Sequence, residues 1–140
     1  MTRVELLAYL NAEYATLIRE AQLLTTDAAG GLKYPMDNAF RRLGAAEDSL
    51  SSATTTNVEA VQALGDYYTL RRIARTLATK VDYKSTAVEG NRPNVFKHIE
   101  RLMDAASKTC ASLGYAVDSD GGGWGVGTLS LDFIEPEVTE

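Results

Sequence analysis

The stretch Asn57 to Val81, NVEAVQALGDYYTLRRIARTLATKV, decides the fold. Val58, Val61, Leu64 and Tyr68, and then Leu70, Ile73, Ala74, Leu77 and Val81, return at helical spacings, and Tyr67 and Ala63 widen the apolar arc. A helix apolar over so broad an arc must touch neighbours on more than one side, so the segment is expected at the centre of an all-α body. Thr56 and Glu59 have the spacing of a capping box at its start. Arg71, Arg72, Arg75 and Lys80 are expected in its last turns, where cations meet the negative end of the helix dipole. Gly65 costs about 1 kcal/mol relative to alanine inside a helix, so it is expected to mark a close helix contact.

Two flanking segments supply the neighbours. After a loop from Asp82 to Arg92, Pro93 suits the first turn of another helix, in which Phe96, Ile99, Met103, Ala106, Cys110 and Leu113 alternate by three and four. That seam is narrow and fits antiparallel packing on the preceding helix, with Lys97, His98, Glu100, Arg101, Asp104 and Lys108 on the remaining faces. Gly114 is expected to close it in a left-handed conformation. On the N-terminal side, Thr2 with Glu5 forms a second capping box. One stripe then runs through Leu7, Leu10, Tyr14, Leu17, Ala21 and Leu24, widened by Leu6 and Ile18. Residues 25–34 are turn-rich. Pro35 either opens a short helix that ends near Leu43 and Gly44, or fixes the loop before a helix starting at Asp37. Glu47 to Thr56 is polar and small, a surface loop. The expectation is a small bundle of about four helices over residues 1–115, followed by an extended arm.

The arm, residues 116–140, has a different character. All 14 Lys and Arg precede residue 112, where they face 13 acidic residues, while Asp118, Asp120, Asp132, Glu135, Glu137 and Glu140 follow it. The net charge of −5 therefore belongs to the tail. Gly121 to Gly127 (GGGWGVG) reads as a flexible or bulged connector: no helix start or GK[ST] follows, and the nearby charges would repel a phosphate. Thr128 to Ile134 alternates as a β-strand, with Leu129, Leu131 and Phe133 on one face, so it is expected to add an edge to a partner's sheet. Trp124 is a candidate anchor on that partner, and Pro136 with the last glutamates would stop further edge growth.

Candidate chemistry is sparse. One cysteine, Cys110, excludes an internal disulfide and reads as a small buried side chain, and the lone His98 has no companions for a metal shell. No serine, cysteine or histidine arrangement suggests a nucleophile, so no enzyme, cofactor or metal is expected. No apolar run approaches the roughly 20 residues that cross a bilayer, so no membrane partner is expected. Arg71, Arg72 and Arg75 form the basic cluster, which could face DNA through phosphates alone or pair with Glu59, Asp66 or a neighbouring subunit.

The helix order carries a resemblance. A long first helix, a short one in PMDNAFRRLG, a long one ending DYYTLRRIARTLATKVDYK and a last one, RPNVFKHIERLMDAASKTCASLGY, together resemble small head–tail connector (adaptor, or neck) proteins of long-tailed bacteriophages. The resemblance covers residues 1–115. It implies a structural virion protein, located in the neck and assembled in the host cytoplasm, that forms a homo-oligomeric ring, commonly a dodecamer in that family. The implied partners are the portal protein, neighbouring copies of the chain, a downstream neck or tail-completion protein, and double-stranded DNA passing through the lumen. The alternative is a small bacterial helical adaptor or regulator that binds a protein through Trp124 and the strand arm.

Overall fold

The computed structural model describes residues 1–83 and 91–117, which form an all-α domain. Its helices are α1 (Arg3–Glu13), α2 (Ala15–Ala21), α3 (Lys33–Arg42), α4 (Val58–Tyr83) and α5 (Asn91–Ser112), with a short 3-10 helix at Glu47–Ser52. The strand expected at 128–134, the anchor Trp124 and the arm residues Leu129, Leu131 and Phe133 lie outside the described residues.

α4 is the hub: α1, α2, α3 and α5 all pack on it. Ala60, Val61, Leu64, Leu70, Ile73, Ala74 and Leu77 are buried along it, whereas Val58 at its first turn is exposed. Gly65 is where α1 comes close. A Cβ added there would stand 3.2 Å from Leu6 Cδ1 and 3.5 Å from Leu10 Cδ2, and both leucines are fully buried. The cap of α4 is Asn57, whose Oδ1 accepts from Ala60 N at 3.3 Å; the capping box expected from Thr56 and Glu59 gives way to it because Asn57 is one residue nearer the first turn.

α5 buries Ile99, Met103, Ala106 and Cys110, as its spacing predicts, and leaves His98 exposed. Arg42 reaches both Ala116 O, just past the end of α5, and the Tyr68 hydroxyl in the first half of α4, so the two helices run antiparallel. Gly114 (φ 94°) ends α5: Tyr115 N donates to Cys110 O at 2.8 Å and Gly114 N to Ala111 O at 3.0 Å. Gly44 (φ 93°) ends α3 in the same way, through Ala45 N to Phe40 O and Gly44 N to Arg41 O. Both are Schellman closures, in which the left-handed residue lets the last carbonyls find donors.

The long first helix is in fact two. Tyr14 (φ −121°, ψ 27°) interrupts it and re-phases the apolar stripe, so Leu6, Leu10, Ile18 and Ala21 are fully buried while Leu7 and Leu17 are only partly covered. Leu24, expected on the stripe, is 56% exposed because the chain leaves the helix at Gln22 in a left-handed conformation (φ 59°). The Thr2–Glu5 capping box is present in both directions, 3.2 Å from Glu5 N to Thr2 Oγ1 and 2.8 Å from Thr2 N to Glu5 Oε1. α3 begins at Lys33 and takes Pro35 into its first turn, where a missing N–H is harmless.

Arg3 ties this half of the molecule together. It is 4% exposed. Its guanidinium meets five oxygens, as many as it has N–H donors: Asp27 through Nε (2.6 Å) and Nη2 (2.8 Å), Lys33 O (3.1 Å), Leu50 O (2.9 Å) and Asp37 Oδ1 (2.7 Å). One side chain thereby joins α1 to the 25–32 loop, to the first turns of α3 and to the 3-10 helix. An isolated antiparallel bridge between Thr2 and Thr54, with Thr55 N donating to Met1 O, holds the N-terminus against the lead-in to α4.

Candidate anion-binding groove

α3 and α4 are joined through a buried seam that includes Met36, Ala39 and Phe40, and their outer edges diverge into a groove of about 310 Å3. Tyr34, Pro35 and Asn38 line it from α3, and Tyr68, Arg71, Arg72, Arg75, Thr76 and Thr79 from α4. None of these residues is acidic. The helical spacing of α4 explains the cluster: positions 68, 71, 72, 75 and 79 fall on one face.

Aromatic rings hold the cations. The Arg71 guanidinium lies 5.2 Å from the Tyr68 ring centre and 6.0 Å from that of Tyr67, and these two rings meet edge to face at 5.4 Å. Arg72 lies 5.9 Å from the Tyr34 ring, with Lys33 5.1 Å from the same ring. The Nη2 of Arg72 also donates to Ala29 O at 2.8 Å, which anchors its far end to the 25–32 loop. A guanidinium at these distances from a ring centre gains cation–π attraction, and its planar fork, unlike a lysine ammonium, can meet a carboxylate or phosphate bidentately.

At the Tyr68 end the groove meets Arg42, whose Nη1 stands 3.5 Å from the Tyr68 hydroxyl and whose Nη2 donates to Ala116 O at 2.9 Å. Arg42 thereby ties the carbonyl of Ala116 to α4 at Tyr68, while Val117 is buried in the core.

The structure thus brings together Arg71, Arg72 and Arg75, the three cations singled out by the sequence. They stand two to three turns before the end of α4 at Tyr83, too far for the dipole benefit expected of them, which fades within the last turn and is left to Lys80 of the four cations. Tyr34, Asn38, Arg42 and Tyr68 were not anticipated as site residues. Tyr68 had a legible signal, a tyrosine three and four residues before two arginines. Tyr34 had none, because it reaches the site from another element.

Asp66, a possible partner of the arginines by sequence, is engaged elsewhere. Tyr9 Oη donates to its Oδ2 at 3.2 Å, and the Tyr14 hydroxyl, placed by the break between α1 and α2, lies against the same carboxylate. Burial pushes the Asp66 carboxyl up to about 6, against the opposing pull of the two tyrosine hydroxyls, with Glu13 adding to the rise. Burial, and next the Asp66 charge, raise both phenols well above the usual tyrosine range. Burial likewise pushes the Cys110 thiol up to about 11, leaving it an inert packing group.

Among the described residues no group of three or more His, Cys, Asp or Glu is placed to hold a metal ion, and no helix is long and apolar enough to cross a membrane. Comparison with protein-family models, with curated proteins and with solved structures finds no match to this chain.

Proposed function

We propose that the chain is a structural interaction protein, a ring-forming head–tail connector that sits between portal and tail and leaves a channel for DNA. The observation that carries this reading is the arginine–tyrosine groove on an all-helical body, where Arg71, Arg72 and Arg75 stand on one face of α4 and no carboxylate is among the described lining residues. Such a surface holds a polyanion by its phosphates without reading bases. In the ring, Arg71, Arg72 and Arg75 face either the lumen or a neighbouring copy. The helix order of residues 1–115 supports the same reading, with α1 and α2 together standing where one long helix was expected.

The acidic arm completes the proposal. Residues 128–134 form a strand that adds to a sheet edge of the portal or of the next neck protein, with Leu129, Leu131 and Phe133 filling pockets and Trp124 as the anchor. The protein acts by assembly, with no catalytic step, cofactor or metal.

The test is sedimentation. An antibody to the chain is used to probe size-fractionated lysate of its source, and several copies per DNA-containing particle are expected. Absence from every large particle, with the chain bound instead to one soluble partner, would overturn the proposal.

A further inference from the structure

We infer that α2, hinged on the break at Tyr14, is a proton-operated flap on α4: it closes over Asp66 while that side chain holds a proton and opens locally when the proton leaves. A cluster of groups, a hinge and a cavity carry the inference.

The cluster lies where the elbow between α1 and α2 meets α4. Tyr9 Oη, from α1, donates to Asp66 Oδ2 at 3.2 Å, and the Tyr14 hydroxyl lies against the same carboxyl. The other oxygen, Oδ1, is enclosed and has no hydrogen-bond partner among the described residues. Other groups facing this point do not compensate a negative charge. Glu13, at the end of α1, repels it, and Cys110, from α5, is a neutral thiol. Arg42, the last residue of α3, acts on that thiol and is itself bonded to Ala116 O. A neutral acid is therefore cheaper to enclose here than a carboxylate with one oxygen unmet.

The hinge is the interruption at Tyr14 (φ −121°, ψ 27°), and no side chain caps the seven-residue α2 that follows it. Two turns do not hold as a helix on their own, so α2 depends on keeping Ile18 and Ala21 in the core. α1 is fastened far better, by the Arg3 hub, the bridge from Thr2 to Thr54 and the burial of Leu6 and Leu10 against Gly65. Beside α2 runs a cleft of about 580 Å3, lined by Asn11, Ala15, Ile18 and Leu23 among others, so that flank of the flap has room to move. α2 is the element that gives, and its opening lets Oδ1 reach water.

The direction follows from linkage. The carboxyl stands near 6 when closed over and at its ordinary 3.8 when open, so the closed form binds the extra proton. Its advantage is complete below 3.8 and is lost as pH rises through 6. The opening constant therefore grows about tenfold from pH 5 to pH 7.5 and levels off above that. This device is independent of the connector reading, since it needs no partner.

The test is amide hydrogen exchange of the full chain by NMR at pH 5 and pH 7.5, normalised to intrinsic rates and repeated in low urea. The amides of Ile18 and Leu23, which donate to Tyr14 O and Ile18 O, report on α2. Their protection is expected to fall about tenfold between the two pH values with little dependence on urea, as local opening requires. Met103 and Ala106 in α5 should stay better protected and respond to urea. D66N should remove the pH dependence at α2. Y9F, which removes a hydrogen bond that favours the carboxylate, should move the midpoint up, and E13Q should move it down. Exchange of α2 only together with α5 at both pH values would overturn the inference. So would a D66N chain that keeps the tenfold fall, or midpoints that Y9F and E13Q leave in place.

Discussion

Replacing Arg3 with methionine should do more damage than any other single change to a charged surface-type residue in this chain. Methionine fills much of the same volume but leaves Asp37, buried by more than nine-tenths, without its guanidinium, and strips Leu50 O and Lys33 O of their donor. Lys33 Nζ, 3.2 Å from Asp37 Oδ2 and partly in solvent, compensates only in part. Breaking a buried ion pair from one side typically costs about 3–5 kcal/mol, and for a domain of this size each kcal/mol lowers Tm by about 4 °C. A fall of about 12–20 °C is therefore expected. The assays are thermal and urea denaturation followed at 222 nm at pH 7, for wild type, R3M, R3K and the exposed control R101M, which should stay within about 0.5 kcal/mol of wild type. R3K should recover part of the loss, since it restores charge without the five-donor fork. A double-mutant cycle with D37N should show coupling of at least about 1 kcal/mol. Acid gives an independent check. The Arg3 hydrogen bond holds the Asp27 carboxyl below its usual 3.8, so its contribution is complete above that pH and is lost as pH falls through the lower folded value. The gap between wild type and R3M should accordingly narrow below pH 3.8. A loss under 1 kcal/mol for R3M, or additive behaviour with D37N, would refute the argument.

Asp66 gives the opposite pH signature. Its folded value near 6 lies above the ordinary 3.8, so the folded state binds the extra proton and stability falls as pH rises from 3.8 to 6; D66N should flatten that fall and raise Tm more at pH 7.5 than at pH 5, and an unchanged profile would count against the buried carboxyl. Gly65→Val should cost about 1–3 kcal/mol by overpacking against Leu6 and Leu10, measured by the same denaturation assay. Gly44→Ala and Gly114→Ala should each cost about 1–2 kcal/mol through left-handed strain alone, because a Cβ at either site meets nothing within 4 Å. Cys110, fully buried with its thiol raised to about 11, should react with a thiol reagent only after unfolding, and rapid labelling of the native chain would contradict its packing role.

Local pattern and tertiary structure divide the account of this protein between them. The helical period of α4 and α5, the capping box at Thr2 and the closures at Gly44 and Gly114 were all legible in the sequence, because each depends on residues within a turn or two of one another, whereas Gly65 marked a close contact whose partner, α1, only the packing supplies. The acidic bias of the tail is legible for the same reason. The break at Tyr14 was not, since a stripe shared by two helices looks like one until its phase is fixed by what it packs against. The choice of Asn57 as cap over Thr56 turned on a single residue of register. Nothing in the local pattern singled out Arg3; only the convergence of the 25–32 loop, α3 and the 3-10 helix makes it a buried five-oxygen hub. The groove divides in the same way. Its arginines stand on one helix face and could be picked out by spacing, whereas Tyr34, Asn38 and Arg42 join them from across the α3–α4 seam. Helical periodicity records which face a residue occupies, and long-range packing alone records what that face meets.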